Sequence, residues 1–198
     1  MKRIYFTFLV CLAILSGCSS TKFEAEHDFE VKAFEYTNHR NEQISLGSLN
    51  GTPWLAMFIY TRCSTVCPPM TSNMVDVHTA IEKEGIENYK IVGFSVDPAY
   101  DTPEVLSNYL SYYPIENETK WELLTGYEQT EMTQFALQSF NTVVKKLRGS
   151  EDVVHDIKYF LVDQNGTVVK SYDGYSQIPT EEIVNDLKSL LQQAKRKS

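Results

Sequence analysis

The sequence predicts an α/β sandwich in which a central mixed sheet is flanked by helices, with a hairpin on its N-terminal side. Three observations predict it. Trp54 to Tyr60 and Tyr89 to Val96 are continuous apolar runs, the pattern of parallel strands buried on both faces. A stretch with helical spacing of apolar residues follows each run. A later pair of strands, Lys158 to Val162 and Thr167 to Tyr172, flanks Asp163-Gln164-Asn165-Gly166, a hairpin turn with glycine where a positive backbone angle is needed.

Taken in order, Val31 to Tyr36 and Gln43 to Leu46 border the polar stretch Thr37 to Glu42 and predict a hairpin ahead of the main sheet. After the strand Trp54 to Tyr60, Met70, Met74, Val77 and Ile81 line one stripe of a helix, which makes the two methionines core residues rather than thioether ligands. Asp101-Thr102-Pro103-Glu104 starts the next helix with a capping side chain, a proline in the first turn and an early carboxylate, and Leu106, Tyr109, Leu110 and Tyr113 follow. Trp121 to Leu124 is a short strand, and Met132, Phe135, Ala136 and Phe140 mark another helix. Beyond the late hairpin, Thr180-Glu181-Glu182 opens an amphipathic helix carrying Ile183, Leu187, Leu190 and Leu191, and the basic tail Gln192 to Ser198 is expected to fray. Parallel strands first and an antiparallel pair last is the arrangement of a thioredoxin-like domain.

The N-terminus reads as an export signal. Lys2 and Arg3 precede an apolar core from Ile4 to Leu15, too short for the ~20 residues of a spanning helix, and Leu15-Ser16-Gly17-Cys18 is a lipoprotein cleavage pattern. An uncleaved anchor is the other reading, and either one places the domain outside the cytoplasm. Residues 1–17 are then the signal peptide, Cys18 the lipid-modified first residue, 18–28 a tether and 29–198 one folded domain on the extracytoplasmic face of the cell membrane. Cys11 leaves with the peptide, so Cys63 and Cys67 are the thiols of the domain. Loss of Lys2 and Arg3 takes the net charge from −8 to −10. Such a surface repels a phosphate backbone, which excludes nucleic acid as a partner.

Cys63-Ser64-Thr65-Val66-Cys67 follows the first buried strand directly and precedes Pro68-Pro69 and a helix. Both sulfurs therefore sit on a strand-to-helix turn, where the helix start lowers thiol pKa and suits the pair to metal or redox work. Two thiolates need a third ligand for a selective site. His27 lies in the tether and His39 in the hairpin loop. His78 stands roughly 16 Å along the helix from Cys67 at 1.5 Å per residue, out of reach. His155, in Val153-Val154-His155-Asp156, precedes the strand Lys158 to Val162, and in a thioredoxin-like fold that loop abuts the turn carrying the cysteines. Two thiolates and a neutral imidazole favour Cu(I), accommodate Cu(II) and would hold zinc with a water, with copper ahead on intrinsic affinity. Iron–sulfur ligation lacks the cysteines it needs. The expected site is one copper ion on Cys63, Cys67 and His155.

At this point the sequence resembles the Sco/SenC proteins, thioredoxin-fold copper chaperones of cytochrome c oxidase assembly, and especially their lipoprotein members. The resemblance rests on Phe58 to Cys63, Cys67 to Met70, Phe94-Ser95-Val96-Asp97-Pro98 followed by Asp101-Thr102-Pro103, Trp121 to Gly126, and His155 ahead of Tyr159 to Asp163. It implies that Cys63 and Cys67 bind copper and can also form a disulfide, and that His155 completes the site. It further implies that Asp97 is an acid near the metal or facing a partner; a plain strand-end cap is the alternative. Many members have proline after the first cysteine, where this chain has Ser64, a change that leaves the ligands intact but alters loop stiffness.

The implied function is a membrane-tethered metallochaperone that supplies the dinuclear copper centre of the oxidase's copper-site subunit, loaded by a copper donor or served by a thiol reductant. The rival is a thiol–disulfide oxidoreductase that reduces the cysteines of that subunit. A peroxidase gains nothing specific from the pairing with His155. A purely structural disulfide would close too short a loop to stabilise much.

Overall fold

The computed structural model describes residues 23–197; the signal peptide and Cys18 lie outside them. Three parallel strands form the centre of the sheet: β4 (Trp54–Ile59), β5 (Lys90–Ser95) and β6 (Trp121–Thr125). Every residue of β4 and β6 is buried; β4 therefore reads as an unbroken apolar run, whereas β6 carries Glu122, whose buried carboxylate accepts from Asn38, Arg40 and Lys90. Leu123 lies opposite Gly93 in register, and a Cβ on Gly93 would come within 2.6 Å of the Leu123 methyl, so this tight crossing favours glycine.

On one side β4 pairs antiparallel with β9 (Lys158–Val162), β9 with β10 (Thr167–Asp173), and β10 with β1 (Phe29–Glu30). On the other, β6 pairs antiparallel with β2 (Glu35–Asn38), which pairs with β3 (Gln43–Ser45). The eight strands run β1-β10-β9-β4-β5-β6-β2-β3. The early hairpin forms as expected, but its first strand starts at Glu35 and extends into the polar stretch. Thr37 and Asn38 bond to Thr125 and Leu124, so the hairpin is the edge of the main sheet rather than a separate element ahead of it.

Among the described residues four helices cover the sheet: α1 (Cys67–Lys83), α2 (Pro103–Leu110), α3 (Gln129–Phe140) and α4 (Thr180–Lys197). The stripe of α1, with both Met70 and Met74, is fully buried. Thr102 caps α2 by accepting from the Val105 N–H, with Pro103 in the first turn. Tyr113, expected on α2, lies beyond its end and donates to the hydroxyl of Tyr109. The tail expected to fray stays helical through Lys197. From Phe23 onward the segment expected as tether lies against the body: Phe23 is buried, and the N–H groups of Glu26 and His27 donate to the Val169 carbonyl.

A small second sheet, β7 (Lys145–Lys146) with β8 (Val153–Val154), was not foreseen, because two-residue strands leave no periodic signal. It ends next to His155. The architecture is a thioredoxin-like fold in which the C-terminal ends of β4 and β5 and the N-terminal end of β9 meet at one pole.

Candidate metal centre

The loop after β4 carries Tyr60, Thr61, Arg62 and Cys63, and buried carboxylates hold it in place. The Thr61 hydroxyl donates to Asp101 at 2.5 Å, and the Ser95 hydroxyl donates to the same carboxylate at 2.5 Å. Asp101 is fully buried, and burial pushes its pKa up against those hydrogen bonds. One position further, Arg62 donates to Asp97 from Nε at 3.0 Å and from Nη2 at 2.5 Å, and its guanidinium lies 4.3 Å from the Tyr100 ring centroid.

Asp97 has a second cation. Lys146, on β7, donates to its other oxygen at 2.6 Å. Burial would raise the pKa of this carboxyl, but the hydrogen bonds from Lys146 and Arg62 outweigh it and hold it below the usual carboxylate range. Glu151, in the connection between β7 and β8, also pairs with Arg62 at 2.5 Å. One buried carboxylate thus ties the cysteine loop to the hairpin that leads into His155. The side chain of Asp97 is only 1% exposed and spent on these two cations. Its backbone carbonyl also accepts from the Tyr100 and Asp101 N–H groups, closing the turn after β5.

Cys63 and Cys67 are both free and buried. Their environments differ. Burial disfavours the Cys63 thiolate, yet the N–H groups of Cys67 and Thr65 at its sulfur bring its pKa down to about 7. The Cys67 N–H lies 3.4 Å from that sulfur. Cys67 is itself the first residue of α1 and fully buried, and burial pushes its thiol up, with the neighbouring Cys63 adding to the effect. The expectation that the helix start activates the thiols therefore holds for Cys63 and fails for Cys67, where desolvation outweighs the helix dipole.

His155 faces Cys67, with Nε2 at 3.4 Å from Sγ. Its Nδ1 lies 2.8 Å from the Asp156 carbonyl oxygen, which can only accept, so Nδ1 carries the proton and the Nε2 lone pair points at sulfur. Burial lowers the His155 pKa, the Asp156 carbonyl opposing it, and the ring stays neutral. Tyr60 packs edge-on against the imidazole at 5.8 Å between centroids.

The donors suit a thiophilic ion. Bonds of about 2.3 Å to sulfur and 2.0–2.1 Å to imidazole would subtend the observed S···N gap at roughly 100–110°. Among the described residues, no three His, Cys, Asp or Glu side chains are already gathered as a complete ligand cluster. Cys67 and His155 are the pair already in contact, and the Cys63 sulfur lies beside them on the loop, 3.4 Å from the Cys67 backbone nitrogen.

The remaining histidines are engaged elsewhere. His27 bonds to Ser171, His39 accepts from the Leu123 N–H, and His78 accepts from the Trp121 indole N–H at 2.5 Å. Sequence reasoning treated Asp101 only as part of a helix start and did not single out Tyr60, Arg62 or Lys146. Arg62 and Asp101 stand within the motifs that carry the family resemblance, where a signal existed; Lys146 meets Asp97 across 49 residues with none.

The sequence pattern of the SCO1/SenC family matches residues 23–192. The chain belongs to the SCO1/SenC family. Among solved Sco structures, a SCO1/SenC family lipoprotein from Bacillus anthracis shares 37% identity over 82% of this chain and 95% of its own, with a TM-score of 0.79. BsSco, described with a disulfide switch and as a member of the Sco family of cytochrome c oxidase assembly proteins, shares 41% identity over 83% and 95% of the two chains, with a TM-score of 0.77. Bradyrhizobium japonicum ScoI, solved with copper bound, shares 28% identity over 82% and 99%, with a TM-score of 0.68. Within this Sco fold, the pole that gathers Cys63, Cys67 and His155 is also where Asp97 and Asp101 secure the loop.

Proposed function

We propose that the chain is a membrane-tethered, extracytoplasmic copper chaperone for assembly of the dinuclear copper centre of cytochrome c oxidase, with Cys63, Cys67 and His155 as ligands. The observation that carries this reading is the 3.4 Å approach of a lone-pair-bearing imidazole nitrogen to the Cys67 sulfur. Copper bound to a relative with 28% identity, and the assembly role stated for BsSco, support it. Cys63, with a pKa of about 7, supplies the thiolate that is ready first, and Cys67 gives up its proton as the ion enters. Copper is cargo here. An open three-ligand site releases it by ligand exchange, as incoming thiolates of the oxidase's copper-site subunit replace one ligand at a time.

Lipid on Cys18 holds donor and acceptor at one membrane surface and raises their effective concentration, and bacterial lipoproteins carry enough acyl chains for stable anchoring. The test is copper titration of the reduced chain. One equivalent with sulfur-to-copper charge-transfer absorption is expected, and no uptake would defeat the proposal.

A second reading has its own support: a thiol–disulfide oxidoreductase that reduces the cysteines of the oxidase subunit. The low pKa of Cys63 beside a free Cys67 is what an attacking thiol needs, and BsSco is described with a disulfide switch. A deletion strain separates the two. Oxidase activity restored by added copper supports metal supply, and restoration by a dithiol reductant supports the redox role.

A further inference from the structure

We propose that the C-terminal end of α4 is a contact surface for anionic lipid, which stands the domain upright with its cysteine pole turned away from the membrane. This rests on the lipid anchor at Cys18 proposed above, and two independent features point to it.

The first is where the N-terminal segment joins the body. Phe23 is buried beside the last turns of α4, and the Gln193 side chain donates to its carbonyl at 3.3 Å. Phe23 stands five positions after Cys18, and even fully extended those five steps reach no more than about 18 Å. A lipid on Cys18 therefore keeps this end of the molecule close to the interface, whatever the rest does.

The second is charge. Gln192 to Ser198 holds Lys195, Arg196 and Lys197 and no acidic residue, in a chain of net charge −8. Lys195 and Arg196 are exposed. Of the acids around this end, Glu84 is paired with Lys188, Glu87 lines the same surface cavity as Lys188 and Lys195, and Glu24 is exposed next to Phe23. An anionic bilayer would repel the acidic body and attract this terminus.

The fold converts that contact into an orientation. Gln164, in the β9–β10 turn, donates to the Leu190 carbonyl of α4, and the same end of the sheet holds the first residues of β4 and β5, with Trp54 opposite Lys90 and Val162. Cys63, Asp97 and His155 lie at the other end. β4, six residues long, spans about 20 Å between the two poles. An acceptor would therefore have to present its copper-receiving site well above the lipid surface.

Trp54 and Trp121 both sit at the α4-end pole, Trp121 opposite Ile91 as Trp54 is opposite Lys90, and serve as native fluorescence donors. The full lipidated chain is reconstituted in phosphatidylcholine vesicles, with and without phosphatidylglycerol, each containing a trace of dansyl-labelled lipid. Energy transfer is expected to rise with phosphatidylglycerol. The gain should be lost at high salt and in the triple variant Lys195→Gln, Arg196→Gln, Lys197→Gln, while flotation with the vesicles persists. Transfer indifferent to phosphatidylglycerol, salt and the variant, with flotation intact, overturns the orientation alone. Failure to float with phosphatidylcholine overturns the anchor and the orientation with it.

Discussion

Nε2 of His155 lies 3.4 Å from Sγ of Cys67, although 88 residues separate the two in sequence. The approach follows from topology. β9 runs antiparallel beside β4, so the residues just before β9 meet the loop just after β4. The Asp156 carbonyl then fixes the imidazole proton on Nδ1.

The two thiols should separate in reactivity. Cys63, brought down to about 7, gains thiolate as pH rises through that value, so its alkylation rate should climb between about pH 6 and 8 and then level off. Cys67, pushed up by burial, should react far more slowly across that range. Mass spectrometry of singly alkylated protein measures the difference. Equal labelling of both at pH 7 would contradict the assigned environments.

Asp97→Asn should loosen the strap between the cysteine loop and the β7–β8 hairpin. Arg62 and Lys146 lose a charge-assisted partner, and each reaches water, so the expected cost is about 1–3 kcal/mol in urea unfolding. Metal affinity should fall by about 10–100-fold, the usual effect of removing a group that orients ligands. The folded-state pKa of Asp97 is depressed, so its contribution is present above the unfolded carboxyl value and is lost as pH falls through the folded one. Acid unfolding of the Asn variant should accordingly be shallower. Unchanged stability and unchanged affinity would show that the strap positions nothing.

Gly93→Ala probes the sheet that supports the site. The added methyl meets the Leu123 side chain at 2.6 Å in a fully buried layer, and overpacking of this kind costs about 1–3 kcal/mol. Thermal unfolding reads the loss directly. A neutral result would mean that Leu123 can turn aside at no cost.

Much of this was legible in the sequence because it was written in runs. β4 and nearly all of β5 are buried on both faces, so their sequences read as apolar runs, and the stripe through Met70, Met74, Val77 and Ile81 is fully buried on α1. The meeting of His155 with the cysteine turn was legible for another reason: Cys63 and Cys67 are close in sequence, and the thioredoxin-like order of elements dictates which histidine can reach that turn. What escaped was long-range and polar. Asp97 receives Lys146 from a strand of two residues, and neither spacing nor propensity marks that partnership. The difference between the thiols escaped as well, since the helix start is visible in Pro68-Pro69 whereas the burial of Cys67 depends on tertiary packing.

The central claim is that the imidazole of His155 and the sulfurs of Cys63 and Cys67 grip one copper ion. X-ray absorption at the copper edge of the reduced, singly loaded protein tests it most directly, with His155→Ala alongside. The account predicts two sulfur ligands and one imidazole in the unaltered chain, and loss of the imidazole scattering with much weaker binding in the variant. An identical copper environment and affinity in the two proteins would contradict it.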